Sequence, residues 1–278
     1  KSGNKLDQFF SYTGDGSYSN SMVAWTPEAH TIREQMPKVF DRKGRARFIR
    51  YNFSEYPKDD VINMLKREDL DLSIFHEHGV PERMYLSGSP ETVAWNDHMD
   101  EMKYYWRGLA RRYEKRPKDF KAMLDRMANK FGLDSTWIDG WNDPKVIEED
   151  SLRDLRTGII LPEVTQIKPN SRMVIFDACY NGDFREKDYI AGRFIMSEGK
   201  TVVTFANSVN VLQDKMANEM LGLLGMGARV GQWAKLTNIL ESHITGDPTI
   251  RFKSINEVDC DALLKAPYNE AQMLELMN

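Results

Sequence analysis

The chain has 278 residues, 41% of them hydrophobic and 29% charged, and carries a net charge of −4. That length suits one large core, or a domain with an appendage, and the charge excludes a bulk electrostatic pull toward nucleic acid or an anionic membrane. The longest apolar runs, such as Met173 to Phe176, are far too short for a bilayer, and two cysteines, Cys179 and Cys260, make no disulfide framework and no thiolate zinc set.

The first third alternates strand-like and helix-like segments. Leu6 to Tyr12 reads as a strand closing in the turn Gly14-Asp15-Gly16. Thr26-Pro27-Glu28 is a helix start, a capping hydroxyl before a proline at the first helical position, and this helix runs to about Pro37. Arg45 to Phe53 is a second strand, Ser54 to Asp69 a second helix, and Leu70 to Phe75 a third strand that runs into His76-Glu77-His78-Gly79.

The middle changes character. Trp95, Met99, Met102, Trp106, Leu109 and Tyr113 step by four and three, the period of an amphipathic helix that Ser89-Pro90-Glu91 would start. Pro117 breaks the pattern, and Phe120, Leu124, Met127 and Phe131 form a second helix. We read a helical hairpin inserted over about 88–160, its aromatic stripe a packed core, with a lid or a partner surface as the functional alternative.

The alternation then returns. Arg172 to Ala178 is a nearly continuous apolar run, as in a strand covered on both faces. Lys187 to Glu198 is helical, Thr201 to Ala206 a strand, Met216 to Leu224 and Trp233 to Leu240 are helical, and Thr249 to Phe252 is a short last strand. Strands alternating with helices predict an α/β fold with a mainly parallel sheet and helices on both faces.

In such sheets functional groups gather beyond the carboxyl ends of the strands. Two strands end in chemistry-bearing residues, one at His76-Glu77-His78-Gly79 and one at Asp177-Ala178-Cys179-Tyr180-Asn181-Gly182-Asp183. If they are neighbours, an imidazole faces a thiol. A free thiol has a pKa near about 8.5; an imidazole beside it can take its proton and later protonate a leaving amine. The backbone N–H groups of Gly79 and Cys179 are candidates for an oxyanion hole, glycine allowing close approach to a carbonyl. His76 reads as a satisfied, partly buried histidine, and Glu77, Asp15 and Glu55 are open alternatives for a group that orients the imidazole.

Phe176-Asp177-Ala178-Cys179-Tyr180-Asn181-Gly182-Asp183-Phe184, together with His78-Gly79 after an earlier strand, resembles the gingipain family of caspase-like cysteine peptidases. That family carries His-Gly after one strand and an Ala-Cys-x-Asn-Gly-Asp-Phe-like motif after the next. Gly246-Asp247-Pro248-Thr249 is similar to the Gly-Asp-Pro that closes its catalytic domain, so the likeness spans about Leu6 to Phe252. The resemblance implies a caspase-like three-layer sandwich with a six-stranded sheet, peptide hydrolysis by a Cys179/His78 dyad without a cofactor, calcium as a structural ion at most, and secretion from bacteria. It further implies that the pocket for the residue before the cut involves Asp177, Asn207 and Ser208, where a carboxylate would favour arginine or lysine; Asp177 bonding loop N–H groups is the equal alternative. Two departures stand out: Glu77 replaces a glycine of the family pattern, and Cys179 follows His78 by 101 positions, many more than in gingipains.

Three other readings remain. His76 and His78 could hold zinc, with His98 or an aspartate completing the set. A caspase-like scaffold could bind without catalysing, the hairpin occupying its cleft. Gly14-x-Gly16 could bind a nucleotide, although its spacing matches neither the dinucleotide nor the P-loop fingerprint. Oligomeric state is left open by all of them.

Overall fold

The computed structural model describes residues 5–14, 29–40, 45–51, 57–87, 94–211, 220–237, 239–253 and 259–265. The chain divides into two compact units. The first comprises 1–53, 57–88 and 158–278, and the second 54–56 and 89–157.

The first unit is α/β. Its main sheet has six strands: β1 (Phe9–Thr13), β2 (Ala46–Arg50), β3 (Leu72–His76), β7 (Met173–Asp177), β8 (Val203–Asn207) and β9 (Ser242–Gly246). They lie in the order β2-β1-β3-β7-β8-β9, parallel except for the antiparallel β9 edge. A small antiparallel sheet joins β4 (His78–Val80), β5 (Arg83–Tyr85) and β6 (Gly158–Ile160).

The central strands β1, β3, β7 and β8 are buried at every position, which explains their continuous apolar runs. Alternation sends their side chains to opposite faces. Phe10, Tyr12, Phe75, Val174 and Phe176 pack with helices α2 (Pro57–Leu65), α6 (Leu161–Ile167) and α7 (Ile190–Met196). Phe9, Leu72, Ile74, Ile175 and Phe205 pack on the other side with α1 (29–35), α8 (Leu221–Gly225) and α9 (Val230–Thr237). A fully buried side chain of this size contributes about 1.5–3 kcal/mol. A buried polar side chain on β3 is satisfied as well: Ser73 Oγ donates to Ser171 Oγ at 2.9 Å.

The last strand corrects the sequence reading. Thr249 to Phe252 is not a strand; the Thr249 N–H and hydroxyl both bond the Asp247 side chain, a local turn that competes with ladder pairing. The edge is Ser242–Gly246 instead. It has no buried residue and therefore no apolar run to announce it.

In the second unit, α3 (Trp95–Tyr113) and α4 (Pro117–Phe131) are joined by a third helix, α5 (Pro144–Arg156), which extends the expected hairpin. Trp106, Ala110, Met123, Met127 and Ile138 form its core. Pro117 opens α4 and Gly132, at φ 65°, closes it in the left-handed conformation. The buried residue of α5 is Asp150, held between Arg107 and Arg111; burial raises its carboxyl, and the two guanidinium groups outweigh burial and leave it below the ordinary range. No described helix is long and apolar enough to cross a membrane. The last described helix, α10 (Cys260–Lys265), buries Cys260, which the sequence places in a polar stretch.

Candidate active site

Strands β3 and β7 are neighbours, paired in register from Leu72 opposite Met173 to His76 opposite Asp177. Their carboxyl ends therefore lie side by side. His76 is fully buried, and its Nδ1 bonds Asp177 Oδ2 at 2.8 Å. The chain then bends at Glu77, leaves the main sheet, and starts β4 at His78. His76 and His78 thus belong to different strands of different sheets and do not share a strand face. His78 is partly exposed, but its Nε2 is buried and has no hydrogen-bond partner.

On the other arm, β7 ends at Asp177 and the chain turns sharply through Tyr180, a non-glycine residue at φ 53°. This turn leaves Cys179 partly exposed beside the segment that follows β8. Gly182 N–H donates to Asn207 O at 2.9 Å and Tyr180 N–H to Val209 O at 3.2 Å, so residues 179–183 lie along 207–211. The sulfur is already engaged there. Val211 N–H donates to Cys179 Sγ at 3.3 Å, while Asn210 Oδ1 at 3.2 Å and Val211 O at 3.3 Å stand as acceptors for the thiol proton.

The two arms meet at Gly79. A Cβ at this position would lie 2.5 Å from Cys179 O and 2.6 Å from Asn181 Nδ2, so only glycine lets the β4 backbone approach the cysteine loop this closely. Asn181 locks the contact, its Nδ2 donating to Val80 O at 2.7 Å and Arg83 O at 3.0 Å.

The other residues named from sequence fall less neatly. Asp177 is 5% exposed and its carboxylate is engaged by His76. Asn207 is buried, with Nδ2 on Ala178 O at 3.0 Å and Oδ1 accepting from Ser242 Oγ, so its amide ties β7 to β9. Ser208 sits at the rim, its N–H on Glu241 O at 3.1 Å and its carbonyl accepting from Arg185 Nη2 at 2.9 Å. Asp15 and Glu55 lie outside the described residues. His98 is exposed on α3 in the second unit. Among the described residues no group of three or more His, Cys, Asp or Glu side chains is arranged to hold a metal.

Three features of this site have no counterpart in the sequence reading. Asn181 appears there only as a letter of the motif. Asp183 is buried and grips Arg185 through a two-pronged pair at 2.7 and 2.8 Å, which holds the Asp183 carboxyl below the usual range. His243 on β9 meets Phe184 edge to face at 4.7 Å; burial pushes its imidazole down, with the Gly182 backbone and Asp183 pulling it back. A lone histidine in Ser242-His243-Ile244-Thr245 carries no local signal of this.

Glu77 is fully buried; burial pushes its carboxyl well above the carboxylate range, and the nearby His76 opposes this. Folded Glu77 keeps its proton where the unfolded chain, with a pKa near about 4.3, gives it up. Stability from this group is therefore complete below that pH and declines as pH rises toward the folded value, by up to about 1.4 kcal/mol per unit. Glu77→Gln should flatten the dependence between pH 5 and 7 and be at least as stable as wild type at pH 7. Urea unfolding at three pH values checks this; unchanged slopes would count against it.

No protein-family model matches the chain, and no curated protein matches it at a significant level.

Proposed function

We propose that the first unit is a caspase-like, gingipain-like cysteine peptidase domain with Cys179 as nucleophile and His78 as proton-transfer partner. The observation that carries this reading is the junction at Gly79: an imidazole with an unpartnered, buried Nε2 belongs to the strand whose next residue abuts the backbone of a turn-borne cysteine. The six-strand order with an antiparallel last edge, and the small hairpin directly after β3, support the caspase-like assignment.

In the proposed reaction Cys179 Sγ attacks the peptide carbonyl carbon as His78 takes the thiol proton. The Gly79 and Cys179 N–H groups receive the oxyanion. The intermediate collapses, the C–N bond breaks, and His78 returns the proton to the departing amine. Water, deprotonated by His78, then hydrolyses the thioester and frees the thiol. This chemistry needs no cofactor. Cleavage after a basic residue, and secretion, are proposals by resemblance; Asp177 lends the first little support, because His76 already occupies its carboxylate.

One observation favours a second reading, a non-catalytic scaffold: the Cys179 sulfur is engaged by Asn210 and Val211. Peptide acyloxymethyl ketones ending in Arg, Lys, Asp or Asn separate the two. A peptidase is labelled at Cys179 by at least one, and Cys179→Ala abolishes labelling and hydrolysis together. A folded protein whose Cys179 reacts with iodoacetamide but with none of the four would sink the peptidase reading.

A further inference from the structure

Asn181 stands between the two reacting arms without being a reacting group. It is fully buried, two residues beyond Cys179, and its main chain is fixed by Ala191 N–H donating to Asn181 O at 2.9 Å. Both hydrogens of its side-chain amide go to one place. They reach Val80 O and Arg83 O, and these two residues form the facing pair that closes the β4–β5 hairpin. That hairpin begins with His78, and the Asn181 amide packs directly on Gly79. The carbonyl end of the same amide, Oδ1, is buried with no hydrogen-bond partner, and so is His78 Nε2. Buried polar atoms are rarely left unpaired, and here one lies on the cysteine loop and one on the first residue of the hairpin that the loop clamps.

We infer that Asn181 is the positioning residue of the dyad: its Nδ2 pins the His78-bearing hairpin to the cysteine loop and sets the imidazole's distance from the sulfur. The inference rests on the peptidase reading, with Asn181 acting through His78 and touching neither substrate nor the reacting atoms. Ordinary fold support would lower stability and leave thiol acidity alone. A positioning role couples Asn181 to His78, since the thiolate is stabilised by an imidazolium only at short range.

The test is a double-mutant cycle with wild type, His78→Ala, Asn181→Ala and the double variant, read by the pH dependence of Cys179 alkylation and by kcat and KM on the best-labelled peptide. Asn181→Ser repeats the cycle with a small polar side chain should the alanine variant not fold. We expect Asn181→Ala to lower kcat about 10- to 100-fold with little change in KM. Its thiol titration should move to that of His78→Ala, and adding it to His78→Ala should cost nothing more. Additive losses, or a wild-type thiol titration in the Asn181 variants, overturn the positioning role and leave the peptidase reading standing. A wild-type titration that does not respond to His78→Ala overturns both.

Discussion

His78→Ala is expected to lower kcat/KM for peptide hydrolysis by about 10²- to 10⁴-fold, the range general acid–base catalysis supplies, or roughly 2.7–5.5 kcal/mol of transition-state stabilisation. His76 and His243 are the other imidazoles near the cysteine loop. His76 is sealed in the sheet with Nδ1 on Asp177, so its loss registers first in stability. His243 packs against Phe184, five residues beyond Cys179, and burial pushes its imidazole down. His243 Nε2, like His78 Nε2, is buried without a hydrogen-bond partner, but it is His78 that directly precedes Gly79, whose backbone meets Cys179 O. At neutral pH, alkylation of Cys179 should be slower in His78→Ala than in wild type, because the imidazole that takes the thiol proton is gone. His243→Ala should stay within tenfold of wild type. A His78→Ala enzyme within threefold of wild type would remove the imidazole from the mechanism.

The parts of this fold that the sequence announces are those where burial is symmetrical. β3, β7 and β8 are covered on both faces, so they are written as apolar runs, and their placement as adjacent parallel strands brings two chemistry-bearing ends together. The elements that escape notice break that link between burial and hydrophobicity. α5 presents Asp150 inward and leaves Leu152 and Leu155 exposed, the reverse of the usual stripe. β9 is a half-exposed edge, and the strands of the small sheet, at three residues each, are too short to show a period. At the site, Cys179, His78 and Gly79 are legible because they end strands or flank a turn. The pairing of His76 with Asp177 is not, since it depends on a register that no local pattern specifies. Asn181 is visible as a residue and illegible as a role, because its partners, Val80 O and Arg83 O, are backbone atoms about a hundred residues earlier.

Gly79→Ala tests the junction itself, and its damage should fall on activity more than on stability. The new Cβ would lie 2.5 Å from a backbone oxygen and 2.6–2.7 Å from the Asn181 amide, distances that atoms in contact do not sustain. Neither neighbour can step aside cheaply. Cys179 O belongs to a turn held by Tyr180 at positive φ, and the Asn181 amide is spent on two hydrogen bonds. The hairpin must therefore retreat, taking His78 with it. Overpacking of this kind costs about 1–3 kcal/mol in stability, while a displacement near 1 Å between reacting groups costs about 10²-fold in rate. If the Gly79 N–H also receives the oxyanion, the same retreat removes a donor and multiplies the loss by roughly another 10². The expected outcome is a folded protein, modestly less stable in urea, whose kcat/KM falls at least 10²-fold and whose Cys179 alkylates with the pH profile of His78→Ala. A Gly79→Ala enzyme with wild-type turnover would mean that β4 and the cysteine loop do not work at the separation seen here, and both the dyad and its Asn181 clamp would have to be abandoned.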